Sequence, residues 1–200
     1  PQYSSDFNQC EYLIFPIKEV LSHKEDLEEI KKKVIIELPD LIYPFYEDKL
    51  LSNLQELKSL GFKNAISGNI GGIEIIKKAE LNAFGGHTLN IANSEAIEFY
   101  ETQDVKDLTL SVELSAKAID NISSNVKIGA YCYGNLPLMF FRNCPLKQKD
   151  GCGNCSGKRK ITDRKNIEFP IICHDEVHSV LHNSVPFYLM DKIDLNCDFV

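Results

Sequence analysis

The chain has no tryptophan, only two methionines, and arginine at just three positions, all between Arg142 and Arg164. No run reaches the roughly 18 apolar residues of a membrane-spanning helix, so no membrane partner is expected. A basic-then-apolar leader is absent and the first residue is Pro1. The expectation is a piece of a longer, cytoplasmic protein. Low-complexity tracts and internal repeats of about 20–50 residues are absent too, which excludes solenoids and propellers. The glycine loop at 68–72 fits neither a dinucleotide fingerprint nor a phosphate-binding loop, and no serine nucleophile elbow occurs.

What is present is an ordinary globular balance: 200 residues, 44% hydrophobic and 26% charged. That length suits one large domain or two small ones. Seven cysteines are an odd number, so a disulfide framework fits poorly and free thiols with a metal site fit better.

Residues 17–32 carry Leu21, Leu27 and Ile30 among charges and predict a helix. Val34-Ile35-Ile36-Glu37-Leu38, stopped by Pro39, predicts a buried parallel strand. Leu50, Leu51, Leu54, Leu57 and Leu60 keep helical spacing within 46–60, and Gly61 ends that helix. Weaker patterns predict strands at 64–67, 86–92, 108–112 and 126–131, the last followed by 136–141, and helices at 73–79, 95–101 and 115–122. Strand and helix alternate, which implies a parallel sheet with right-handed crossovers. A complete eight-fold barrel needs about 250 residues. The expected fold is therefore α/β: half of such a barrel or an open parallel sheet over 1–142, with an irregular cysteine-rich segment over 143–200 packed on it. A half-barrel leaves a sheet edge open, to be covered by the rest of the parent chain or a second copy.

Cys144, Cys152, Cys155 and Cys173 form the strongest chemical pattern, with Cys152-Gly153-Asn154-Cys155 as a tight knuckle. Four thiolates suit zinc or an iron–sulfur cluster, and spacing alone does not separate the two; a pair of disulfides or unligated thiols are the alternatives. Cys10, Cys132 and Cys197 fit no ligand spacing.

The net charge of −7 argues against a general nucleic-acid binder. The segment 142–165 is nevertheless +6. It reads either as a solvated loop or as a local site for an anionic substrate, such as a phosphate backbone, with Arg142 and Arg159 as binding candidates. His174, His178 and His182 would share one face of a helix, but Asn183 and Pro186 cut that helix short. In parallel α/β folds chemistry gathers at the carboxyl ends of strands, where Glu37, Asn90 and Glu113 fall. Glu113 reads equally as a carboxylate opening the next helix. Asn93 suits a helix cap, although its position also admits substrate contact. His87 reads as structural.

Several segments, in order, resemble the carboxyl-terminal part of long members of peptidase family U-32, the collagenase-like peptidases. They are Leu89-Asn90-Ile91-Ala92-Asn93-Ser94, Leu110-Ser111-Val112-Glu113-Leu114-Ser115, Tyr133-Gly134-Asn135-Leu136-Pro137-Leu138-Met139, and Asn143-Cys144-Pro145-Leu146. The knuckle, Thr162-Asp163-Arg164-Lys165 and Phe169-Pro170-Ile171 complete the run to Cys173. The chain departs from that pattern at Val112, where proline is usual, and at His174, where a basic residue is common. The resemblance implies a barrel-like α/β fold and a peptidase of unstated catalytic type. It also implies kinship with iron–sulfur proteins that support oxygen-independent hydroxylation of transfer RNA or quinone precursors, their clusters held by four cysteines. Glu113, Asp163 and Arg164 are the catalytic candidates. Asn90, Asn93, Arg142 and Arg159 are the substrate-binding ones, for a protein or RNA substrate. A non-catalytic, metal-stapled docking module is the third reading.

Overall fold

The computed structural model describes residues 9–147, 155, 157–174, 178–190 and 195–200. The chain divides into two compact units, Pro1–Tyr131 with Leu195–Val200, and Cys132–Asp194. The divide thus falls at Tyr131/Cys132, where the sequence suggested 142/143.

In the first unit six parallel strands run in sequential order: β1 (Leu13–Pro16), β2 (Val34–Glu37), β3 (Asn64–Ser67), β4 (Asn82–Gly85), β5 (Val105–Thr109) and β6 (Lys127–Gly129). Between them lie α1 (Ile17–Ser22), α2 (Pro44–Ser59), α3 (Ile70–Lys78), α4 (Ser94–Thr102) and α5 (Ala116–Ile119). Sequential order means that the chain never reverses its progress across the sheet, as in a barrel wall and unlike a doubly wound sheet. The fold is α/β with a six-stranded parallel sheet, as the alternation implies.

One face of the sheet builds the core. Val34, Ile36, Ala65, Ala83, Val105, Leu108 and Ile128 pack with Leu50, Leu54 and Leu57 of α2, Ile73 and Ile76 of α3, and Ile97 of α4. The three α2 leucines are spaced one turn apart and fully buried. Each such burial stabilises by about 1.5–3 kcal/mol relative to exposure. Gly61, at φ 94°, adopts the left-handed conformation that ends α2. Asn69, Asn93 and Ser115 accept from backbone amides at the starts of α3, α4 and α5.

The structure corrects several local expectations. The helix foreseen over 17–32 ends at Ser22, because Lys24 stands one turn after the buried Val20 and pairs with Glu56 at 2.7 Å. The glycine loop 68–72 partly joins α3, with Gly71 and Gly72 in its first turn. The strand foreseen at 86–92 lies at Asn82–Gly85; 87–89 is a 3₁₀ turn, and only Ile91 bridges to Leu110. Asn82-Ala83-Phe84-Gly85 has weak strand propensity, and its pairing with β3 and β5 overrides that. The first strand, β1, has no counterpart in the sequence reading.

The second unit is strand-built: the run foreseen at 136–141 is a strand, and the other strands lie where irregular chain was expected. β8 (Pro137–Phe141), β9 (Lys158–Thr162), β10 (Glu168–His174) and β11 (His178–His182) form an antiparallel sheet in the order β8-β11-β10-β9. β7 (Tyr133–Gly134) pairs with β12 (Phe187–Tyr188). His174 and His178 therefore sit opposite each other on adjacent strands, not along a helix. No described helix is long and apolar enough to cross a membrane.

Candidate active site

The alternation of β2 decides where its carboxylate goes. Val34 and Ile36 enter the helix-side core, so Ile35 and Glu37 take the other face. Glu37 is in register with Ile66, and Ile66 with Phe84, which forms a row across β2, β3 and β4 on that face. Tyr12 meets Phe84 edge-on, with ring centroids 5.9 Å apart. Glu37 ends its strand, at the carboxyl edge of the sheet.

Beyond that edge the connecting loops collect polar groups. After β2, Asp40 Oδ1 accepts from Thr88 Oγ1 at 2.8 Å, and its backbone carbonyl accepts from Asn69 Nδ2 at 3.2 Å. Thr88 follows β4 through Gly86 and His87. The Gly86 amide donates to the Ser67 carbonyl at 2.9 Å, which holds the end of β4 against the end of β3. Gly68 leaves the room for Thr88, since a Cβ there would lie 1.5 Å from Thr88 Oγ1. The His87 ring lies against Tyr131 just past β6, with centroids 4.8 Å apart.

Electrostatics binds these groups into one site. Glu37 is open to solvent, yet the surrounding protein desolvates its carboxyl and, with the Asp40 charge, pushes it up to about 6. Burial lowers His87, against the opposing pull of Asp40, so its imidazole is neutral at physiological pH. Burial, then the charge of Glu37, raises Tyr131 and keeps its phenol protonated. His87 Nε2 is buried without a hydrogen-bond partner. The arrangement offers a carboxyl raised to about 6, a phenol donor and a neutral imidazole at the end of a parallel sheet, the setting for general acid–base chemistry.

The candidates named from sequence fall as follows. Glu113 lies in a turn past β5, exposed, with its amide on Ser111 Oγ at 3.3 Å. Asn90 adopts φ 59° and its Oδ1 accepts from Ser111 Oγ at 2.8 Å. Asn93 caps α4, its Oδ1 accepting from the Ala96 amide at 2.8 Å. In the second unit the Asp163 carboxylate accepts from the amides of Lys165 and Ile167 at 2.7 and 2.9 Å, which closes the β9–β10 turn. Arg164 sits in that turn, exposed. Arg142 follows β8, and Arg159 lies on β9 opposite Ile171. Cys144, Cys155 and Cys173 are free, partly exposed thiols, and Cys152 lies outside the described residues. No group of three potential ligands converges among the described residues.

Of the site residues only Glu37 carried a signal, a carboxylate between a β-branched run and a proline. Asp40, Thr88 and Tyr131 carried none, because the loops that bring them together are distant in sequence. No match was found among curated proteins or among solved structures. The family described as Peptidase family U32 matches residues 13–160, a span that includes the whole six-stranded sheet and the site at its carboxyl edge. The chain belongs to peptidase family U32.

Proposed function

We infer that the first unit carries the acid–base site of a peptide-bond hydrolase. The supporting observation is Glu37, a carboxyl at about 6 beside a second carboxylate at the end of a parallel strand. Ionised, Glu37 takes a proton from water as the water attacks the substrate carbonyl. The same proton then passes to the leaving amine. Tyr131 donates to the oxygen that gains charge, and His87 holds the phenol ring in place. Each proton transfer of this kind contributes about 10²–10⁴-fold.

Asp40→Asn keeps an acceptor for Thr88 but removes the charge that helps to raise Glu37. The acid limb of casein hydrolysis is expected to move down from about 6 toward the ordinary carboxylate value of 4.5, but only part of the way, because desolvation is the larger cause. An unmoved limb assigns the titration to another group.

The metal belongs to a separate proposal. Cys144, Cys152, Cys155 and Cys173 have donor chemistry suited to zinc or an iron–sulfur cluster. The described thiols do not converge, so no step of the reaction is routed through a metal. Elemental analysis and a visible spectrum of anaerobically prepared protein are expected to show zinc or iron, lost in Cys155→Ser; a metal content unchanged by that substitution sinks the proposal. The RNA-modifying reading rests on the same four cysteines beside the basic segment 142–165.

A further inference from the structure

The outer edge of β6 is occupied by the chain's own C-terminal residues. The Asp198 amide donates to the Ile128 carbonyl at 2.7 Å, and the Ala130 amide donates to the Phe199 carbonyl at 3.1 Å. The Asp198 carboxylate accepts from the Ile128 amide at 2.9 Å, at a position where a further strand would offer a backbone carbonyl. Gly129 and Phe199 are bridged in parallel. Phe199 fills the space that Gly129 leaves: a Cβ on that residue would lie 2.0 Å from Phe199 Cε2. Leu195 packs on the core of the same unit.

These contacts are more selective than a bare strand edge. Backbone bonds alone accept any extended chain. Here a carboxylate must reach the Ile128 amide, and the next residue must place an aromatic ring over the only strand position in β6 without a side chain. We propose that the β6 edge is a binding site for an extended peptide carrying a leucine and, three residues on, an Asp–aromatic pair, and that residues 195–200 are its intramolecular occupant. The site is independent of the acid–base chemistry at Glu37.

Two amides report its occupancy directly, because the bonds of Ile128 and Ala130 both end on the tail. In the full chain, Phe199→Ala is expected to speed hydrogen exchange at Ile128 and Ala130 at least about 10-fold, while the central-strand amides of Ile36 and Ala65 stay unchanged. Added at about 1 mM, the range of a tethered segment's effective concentration, the peptide Leu-Asn-Ser-Asp-Phe-Val should restore protection to the Phe199→Ala chain. The same peptide with Ala for Asp, or Ala for Phe, should not. Gly129→Ala, which fills the slot, should abolish the rescue. Exchange at the two amides that ignores Phe199→Ala, or a peptide that fails to restore protection, overturns the proposal. Should Phe199→Ala loosen Ile36 and Ala65 as well, Asp198→Ala in the full chain decides: faster exchange at Ile128 supports the site and unchanged exchange refutes it.

Discussion

Glu37→Gln is expected to abolish hydrolysis and, at neutral pH, to make the protein more stable. The activity loss follows from removing the proton acceptor and should reach about 10²–10⁴-fold. The stability gain follows from linkage. The Glu37 carboxyl is raised from 4.5 to about 6, so over that interval the folded state binds more protons than the unfolded one. The stability that the protonated form contributes is complete below 4.5 and is lost as pH rises through about 6. Above that range the wild type carries a desolvated charge that glutamine lacks. Solvent screens an exposed carboxyl, so the gain is about 1 kcal/mol, less than the full shift converts to. Denaturant melts at pH about 8 and about 4 check this, with a higher midpoint for the variant only at the first. Equal midpoints at both, with activity intact, would remove Glu37 from the site.

Gly68→Ala is expected to damage stability and activity together. Gly68 is not in the left-handed region, so alanine brings no backbone strain. Its methyl would lie 1.5 Å from Thr88 Oγ1 and 2.9 Å from Asp40 Oδ1. The threonine hydroxyl must leave Asp40, with loss of about 1 kcal/mol for the bond. Overpacking adds about 1–3 kcal/mol. Asp40 loses its anchor, and Glu37 loses a neighbour held at fixed distance. Combining Gly68→Ala with Thr88→Ala removes the worst overlap but leaves the residue 88 Cβ and Asp40 Oδ1 each 2.9 Å from the methyl, so it should recover part of the stability, though not the activity. Additive losses in that cycle would mean that the two positions do not touch.

The sheet was legible in sequence because buried parallel strands write themselves as β-branched runs. Val34-Ile35-Ile36 is such a run, and the leucines of α2 keep strict helical spacing. β4 was misplaced because Asn82 and Gly85 are poor strand formers whose conformation is set by neighbours on both sides. In the second unit β9 was hidden by its Lys158-Arg159-Lys160 run on a half-exposed surface. Glu37 was legible as a strand-end carboxylate. Its partners were not, since Asp40, His87 and Tyr131 come from three separate loops. Asn93 shows the converse: a polar residue at a suggestive position whose side-chain oxygen is spent on a helix cap.

The carboxyl carbon of Glu37 offers the most direct test. Its resonance in glutamate-labelled protein, assigned by its disappearance in Glu37→Gln, is predicted to titrate with a midpoint of about 6. A midpoint at the ordinary 4.5 would show a plain surface carboxylate and contradict an acid–base site at the end of β2.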